Sequence, residues 1–260
     1  MAAILLDIDG VLHVSGEAIA GAAGAVRALR EDGHRLRFVT NNTTRARERL
    51  TGQLRGLGIE LEPEEISTTP LAAARLLAGR RVLALTMADV RADLETGVEL
   101  VEERAQAVLV GGADEGEETS RVFTYENLNR AFASLEEGAS LVCLHKNRWW
   151  QTSSGPLLDS GAFVAGLEYA AGVEAEVVGK PSRAYFDAAL AEVGTSPGEA
   201  IMVGDDVEAD VGGAKAAGLR AVLVRTGKFR EDALAAAEHE PDGVVDSIAD
   251  VPAFVRERGW

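Results

Sequence analysis

A single cysteine, Cys143, is all the sulfur this chain has for cross-linking, and a lone thiol cannot close an internal disulfide. The fold must stand on its packed core, and a reducing cytoplasm is the expected home. Long apolar runs are missing too: none reaches the roughly 18 residues that a helix needs to cross a bilayer. Met1 leads into Ala2, Ala3 and a strand-like run, where a secretory leader would show a basic segment and then an apolar one, so a soluble protein without a targeting segment is expected. Positive charge is in short supply. Against 42 Asp and Glu stand 26 Lys and Arg, a formal net charge of −16, which argues against nonspecific attraction to nucleic acid or to an anionic membrane. Lysine is scarcest, with residues 146, 180, 215 and 228 the whole supply.

What is present is globular material. Hydrophobic residues make up 47% and charged residues 26% of 260 positions, enough for one large domain or a domain with a sizeable insertion. Residues 3–6 form a short apolar run that ends on Asp7, and 19–29 carries Ile19, Ala22, Val26 and Leu29 at helical spacing. The pattern repeats at 36–39 and at 45–57, where Gly58 stops the helix. Short β-branched runs at 175–178, 200–203 and 221–224 alternate with helical stretches such as 184–193, which sets Phe186, Ala189, Leu190 and Val193 on one face. Continuous apolar strands alternating with helices predict a doubly wound, Rossmann-like parallel sheet covered on both faces. Residues 80–174 alternate in the same way. Adding all these strands to one sheet would make it unusually wide, so an inserted α/β cap domain is expected at 80–174, with 1–79 and 175–260 forming the core domain.

Four polar clusters follow apolar strands, where open α/β sheets bind ligands. Asp7-Ile8-Asp9-Gly10 offers two carboxylates spaced to enter one crevice, although alone it reads as a solvated acidic turn. Thr40, Asn41, Asn42, Thr43 and Thr44 open a helix with hydroxyls and amides that suit a phosphoryl group, or that simply cap it. Gly179-Lys180-Pro181-Ser182 brings a lysine to a strand end, with Pro181 suited to a first helical turn; in a chain so poor in lysine it is a candidate to neutralise phosphate charge. Asp205 and Asp206, with Asp210 one turn later, form an oxygen-rich set suited to Mg²⁺, although a helix N-terminus accounts for Asp206 more easily than for Asp205. Together these supply a nucleophile, an acid, an anion binder, a counter-charge and a metal site, a full set for phosphoryl transfer. His13, His34, His145 and His239 show no metal spacing and are expected at the surface or at helix ends; Cys143 is expected in the core.

The order DIDGVL (7–12), FVTNNTT (38–44), VVGKPS (177–182) and GDDVEAD (204–210) resembles the four motifs of the haloacid dehalogenase superfamily, in subfamily IIA with its C2-type cap inserted between the second and third motifs. The likeness runs over nearly the whole chain, and the stretches LVCLHKNRWW and GDDVEADVGGAKAAGLRAVLVRTGKFR resemble a group of small phosphatases within that branch. It implies Asp7 as nucleophile, Asp9 as general acid and base, Thr40 and Asn41 on the transferring phosphoryl group, and Lys180 steadying it. It also implies Mg²⁺ on the Asp7 carboxylate, the Asp9 carbonyl and Asp205, with Asp206 and Asp210 auxiliary. Asn42, Arg148 and Trp149 are expected on the substrate side, with the cap over the mouth of the core site. The acidic run 114–121 is longer than the family's turn, and Trp149 and Trp150 stand where tyrosines are expected; both departures bear on which substrate is taken. The expected partners are a small phosphorylated substrate and a second copy of the chain through the cap, with no nucleic acid and no membrane. Two rivals use similar parts. A dehalogenase on this fold has no use for Asp9 or Asp205, and a phospho-accepting signalling module has no use for an inserted domain.

Overall fold

The structure, a computed structural model, describes residues 1–152 and 155–260. It divides into two compact units, the first made of 1–40, 48–67 and 180–260, the second of 41–47 and 68–179. Among the described residues, no helix is long and apolar enough to cross a membrane.

In the first unit a six-stranded sheet runs in the order Gly243–Val245, Arg220–Val224, Ala200–Gly204, Ala3–Asp7, Arg35–Val39 and Ile66–Ser67. All neighbours are parallel, with Ala3 opposite both Ala200 and Arg35. Every residue of Ala3–Asp7 and of Ala200–Gly204 is buried. This is the reason the sequence shows unbroken apolar runs here and no alternation: both faces of a parallel sheet are covered. Helix Ala22–Glu31 turns Ala22, Ala25, Val26 and Leu29 inward. They join Ile4, Leu6, Phe38, Leu50, Val203, Val222 and Val255 in one apolar core. Strand order advances from Ala3–Asp7 toward one edge early in the chain and toward the other edge late in it. The carboxyl end of Ala3–Asp7 is therefore the switch point where a doubly wound sheet opens a crevice.

The second unit has its own five-stranded parallel sheet, ordered Glu176–Val177, Ser140–Cys143, Ala107–Val110, Arg81–Leu85 and Glu99–Leu100. Val108, Val110, Leu141, Ala131, Leu135, Val164 and Leu167 pack into its core with the buried Cys143. Phe123 stacks on Phe163 with ring centroids 4.2 Å apart. An antiparallel hairpin pairs Trp149–Thr152 with Gly155–Leu158.

The α/β class matches the expectation, while three details differ. The strand expected in the core at 175–178 is instead Glu176–Val177, at the edge of the second unit's sheet, where Val178 N–H donates to the Cys143 carbonyl. Glu176 is exposed and Val177 only half-buried, which suits an edge strand. The units also exchange chain at 67/68 and 179/180 instead of 79/80 and 174/175. Helix Thr69–Leu76 goes with the second unit, whose Gly97 lies so close to the Ala74 carbonyl that a Cβ would overlap it. Finally, Pro181 precedes its helix: Arg183–Val193 starts after Ser182, whose Oγ accepts the Tyr185 N–H.

Candidate active site

Asp7 ends the central strand at the switch point and is 6% exposed. Lys180 Nζ donates to Asp7 Oδ1 and to Asp210 Oδ1, each at 2.7 Å, and all three side chains are buried. Asp205 follows Ala200–Gly204, the strand beside Asp7, and its Oδ2 accepts the Lys228 N–H at 2.7 Å. Gly10 and Gly227, both at positive φ, bring backbone against this carboxylate so closely that a Cβ at either position would overlap it. One oxygen each from Asp7, Asp205 and Asp210 lies within 4.8 Å of the others.

Three acids and one buried cation make a strained electrostatic set. Burial is the main cause that lifts the Asp7 carboxyl well above its ordinary value; Lys180 opposes the lift and Asp210 adds to it. Burial works against the Lys180 ammonium, but Asp210 and Asp7 outweigh it and hold its pKa above the ordinary value. Burial also pushes Asp205 up to about 6, with the Lys228 N–H pulling the other way. Asp205 Oδ1 is buried with no hydrogen-bond partner. An orphaned oxygen on a carboxylate that stands close to two further acids fits a divalent cation, which would replace the missing hydrogen bond and favour the ionised acids.

Asp206 lies outside that trio. Its Oδ1 accepts the N–H groups of Glu208 and Ala209 and so caps the irregular helical turn 207–212, and Lys228 Nζ lies 3.4 Å from its Oδ2. Burial alone would raise the pKa of Asp206, but the Ala209 N–H and the Lys228 charge hold it below the ordinary range. Asp9 points to solvent, its side chain 63% exposed, with Oδ2 at 3.4 Å from Thr40 Oγ1 and Oδ1 at 3.6 Å from His13 Nε2. His13 is buried and meets Gln53 at 3.5 Å, and His34 is buried with Nδ1 accepting the Ala2 N–H. His13 is not the surface histidine expected, because the hairpin of His13–Val14 with Glu17–Ala18 folds back onto the Asp9 loop, whereas His34 follows the end of helix Ala22–Glu31, its N–H donating to the Leu29 carbonyl.

Thr40 closes the Arg35–Val39 strand and is 1% exposed. Asn41 and Asn42 belong to the second unit. There Asn42 Oδ1 accepts the N–H groups of Thr44 and Arg45, so within the polar cluster it is Asn42 that holds the turn 42–45. Arg148 and Trp149 also lie in the second unit and are exposed. At 54% exposure Trp149 is not part of that unit's core, while the side chain of Trp150 lies outside the described set. Sequence reasoning missed Lys228 and Tyr185. The lysine-scarcity argument used for Lys180 applies equally to Lys228, whereas the contacts of Tyr185 are to backbone and leave no motif.

Residues 4–98 match a family model described as haloacid dehalogenase-like hydrolase, and residues 177–251 match one described as HAD-hyrolase-like. The chain is 41% identical over 256 residues to the phospholysine phosphohistidine inorganic pyrophosphate phosphatase of Bos taurus, covering 95% of this chain and 91% of that protein. The p-nitrophenyl phosphatase from Archaeoglobus fulgidus has a similar structure, with TM-score 0.87 and 29% identity over 97% of this chain and 98% of that one. A glycerol phosphate phosphatase from Mycobacterium tuberculosis, solved in complex with magnesium, gives TM-score 0.82 and 27% identity over 95% of this chain and 75% of that one. Matches that run nearly end to end, with the four polar clusters in order and an acid trio at the switch point of the first unit's sheet, lead to one assignment: the chain belongs to the haloacid dehalogenase-like hydrolases, among their phosphatases.

Proposed function

We propose that this chain is a Mg²⁺-dependent phosphatase that hydrolyses a small phosphorylated molecule, a phosphate monoester, pyrophosphate or phosphoramidate, through an aspartyl-phosphate on Asp7. The observation that carries the proposal is the buried Asp7 held at 2.7 Å by Lys180 beside Asp205 and Asp210. Asp7 attacks phosphorus and takes the phosphoryl group, which divides one hard displacement into two. Asp9, exposed and next to Thr40, protonates the departing oxygen or nitrogen. It then takes a proton from the water that cleaves the acyl-phosphate, releasing inorganic phosphate and restoring Asp7. Thr40 and Asn41 hold the phosphoryl oxygens while Lys180 keeps Asp7 oriented and offsets its charge. Asp7, Asp205 and the Asp9 carbonyl would hold the Mg²⁺, with Asp210 behind them and Asp206 shaping the loop; when bound, the ion screens charge on the phosphoryl group.

Arg148 and Trp149 act on the choice of leaving group, a role supported by their exposure in the second unit. The same unit exposes Leu158, Tyr125 and Tyr169, apolar surface that suits pairing with a second copy of the chain, and a reducing cytoplasm fits the lone buried thiol. The test is phosphate release from p-nitrophenyl phosphate, pyrophosphate and phosphohistidine, with Mg²⁺ and with chelator. Many turnovers on at least one substrate are expected, and none for Asp7→Asn. Hydrolysis by Asp7→Asn near the wild-type rate, or a single stoichiometric phosphorylation without turnover, sinks the proposal.

A further inference from the structure

Tyr185 is wholly buried, with Phe186 edge-on to its ring at 6.0 Å. A hydroxyl in such a place is costly unless bonded, and the bonds it makes are specific. Tyr185 Oη accepts the Thr40 N–H at 2.8 Å and shares its one proton between the Thr40 carbonyl at 2.9 Å and the Ser67 carbonyl at 2.8 Å. The Thr40 N–H also lies 3.2 Å from the Ser67 carbonyl, so three backbone groups converge on one phenol oxygen. Both ends of Thr40 are thereby fixed against the same atom, which sets the direction in which its side chain leaves the strand.

The helix that carries Tyr185 opens just after Lys180. Ser182 Oγ accepts the Tyr185 N–H at 3.3 Å, so one short stretch of chain, 180–185, supplies both the cation on Asp7 and the hydroxyl on Thr40. We propose that Tyr185 is a positioning residue whose hydroxyl aims Thr40 at the transferring phosphoryl group, in register with the lysine five residues before it. The inference rests on Thr40 holding that group, as set out above. Tyr185 touches no reacting atom and acts through Thr40 alone.

Tyr185→Phe keeps the ring in the core and deletes only the oxygen. The discriminating experiment is a double-mutant cycle of wild type, Tyr185→Phe, Thr40→Ala and the double variant, reading kcat, KM and inhibition by orthovanadate. A positioning role predicts that Tyr185→Phe weakens vanadate binding and lowers kcat/KM by about tenfold, the size expected for one lost hydrogen bond. It also predicts that the double variant is no worse than Thr40→Ala. Losses that multiply, or a Tyr185→Phe enzyme with wild-type vanadate affinity, overturn the positioning role and leave the proposed phosphatase intact. A Thr40→Ala enzyme unchanged in vanadate affinity and turnover overturns the role of Thr40, and the inference falls with it. Should Tyr185→Phe prove poorly folded, 3-fluorotyrosine labelling of the otherwise wild-type chain provides a second reading. Its three tyrosines include two that are highly exposed, Tyr125 and Tyr169, so the buried resonance is assignable. That resonance is expected to shift on adding orthovanadate, and an unmoved one overturns the inference.

Discussion

Lys180→Met removes the cation that bridges Asp7 and Asp210 while leaving a side chain of similar length. Each carboxylate loses a 2.7 Å charge-assisted hydrogen bond, and with Asp7 6% and Asp210 1% exposed, water cannot make up the loss. Removing one partner of a buried ion pair costs about 3–5 kcal/mol, because the surviving charge stays buried and uncompensated. At about 3 °C per kcal/mol for a unit of this size, calorimetry at about pH 8 without divalent metal should show melting lowered by about 10–15 °C. The deficit has a pH signature. Burial already lifts the Asp7 carboxyl above its ordinary value against the pull of Lys180, so without the lysine the lift grows. The folded variant then holds a proton that the unfolded chain has released, and its stability falls as pH rises. The gap to wild type should therefore be widest near pH 8 and narrow toward pH 5.5. Melting within about 2 °C of wild type at pH 8, or a gap that does not change with pH, would refute the account of Lys180 as the counter-charge of a buried pair.

Asp9→Asn should lower turnover by about 10²- to 10⁴-fold, with a smaller loss for p-nitrophenyl phosphate, whose leaving group needs little protonation; equal losses for good and poor leaving groups would remove the acid-base role. Titrating activity with Mg²⁺ should show Asp205→Ala needing far more metal than Asp206→Ala, since Asp205 carries the orphaned oxygen and Asp206 caps a turn; the reverse order would count against the acid trio as the metal site. Burial disfavours ionised Asp242, but the Ala221 N–H and Lys215, at 2.8 and 2.9 Å, outweigh it and hold its pKa below 3.8. Its contribution to stability is therefore full above about pH 4 and is lost as pH falls through the depressed value, so the stability gap between wild type and Asp242→Asn should shrink from pH 6 to pH 3, and a constant gap would contradict this. Arg148→Ala and Trp149→Ala should reorder preference among bulky substrates and spare pyrophosphate; a uniform loss on all substrates would move specificity elsewhere.

The strands that carry Asp7, Thr40 and Asp205 were legible because a strand covered on both faces must be apolar throughout, and the polar residue after it then marks the strand end. Lys180 could be picked out by the scarcity of its kind. The strand Glu176–Val177 was misassigned to the core since two residues have no period, and only the pairing partner, Ser140–Cys143, decides which sheet they join. Which of Asp206 and Asp210 meets Asp7 was also hidden: they sit one turn apart, and the choice follows from Asp206 spending its oxygen on the N–H groups of Glu208 and Ala209. Tyr185 left no trace in the pattern because its partners are backbone atoms 145 and 118 positions away.

The pairing of Ala3 with Ala200 also bears on how the chain matures. The central strand of the first sheet is synthesised first, and its partner Ala200–Gly204 only after nearly two hundred further residues. By then every strand of the second unit's sheet has been made, the last of them Glu176–Val177. On the ribosome, the inserted unit can therefore finish folding while the unit that hosts it still lacks half of its sheet. Throughout that interval the apolar Ala3–Asp7 segment keeps an unpaired edge, the kind of surface that recruits other strands. Synthesis that stalls after residue 179 and before residue 200 leaves a complete second unit tethered to a sticky, unfinished first one, which makes the closing third of the chain a guard against aggregation as well as the carrier of Lys180 and Asp205.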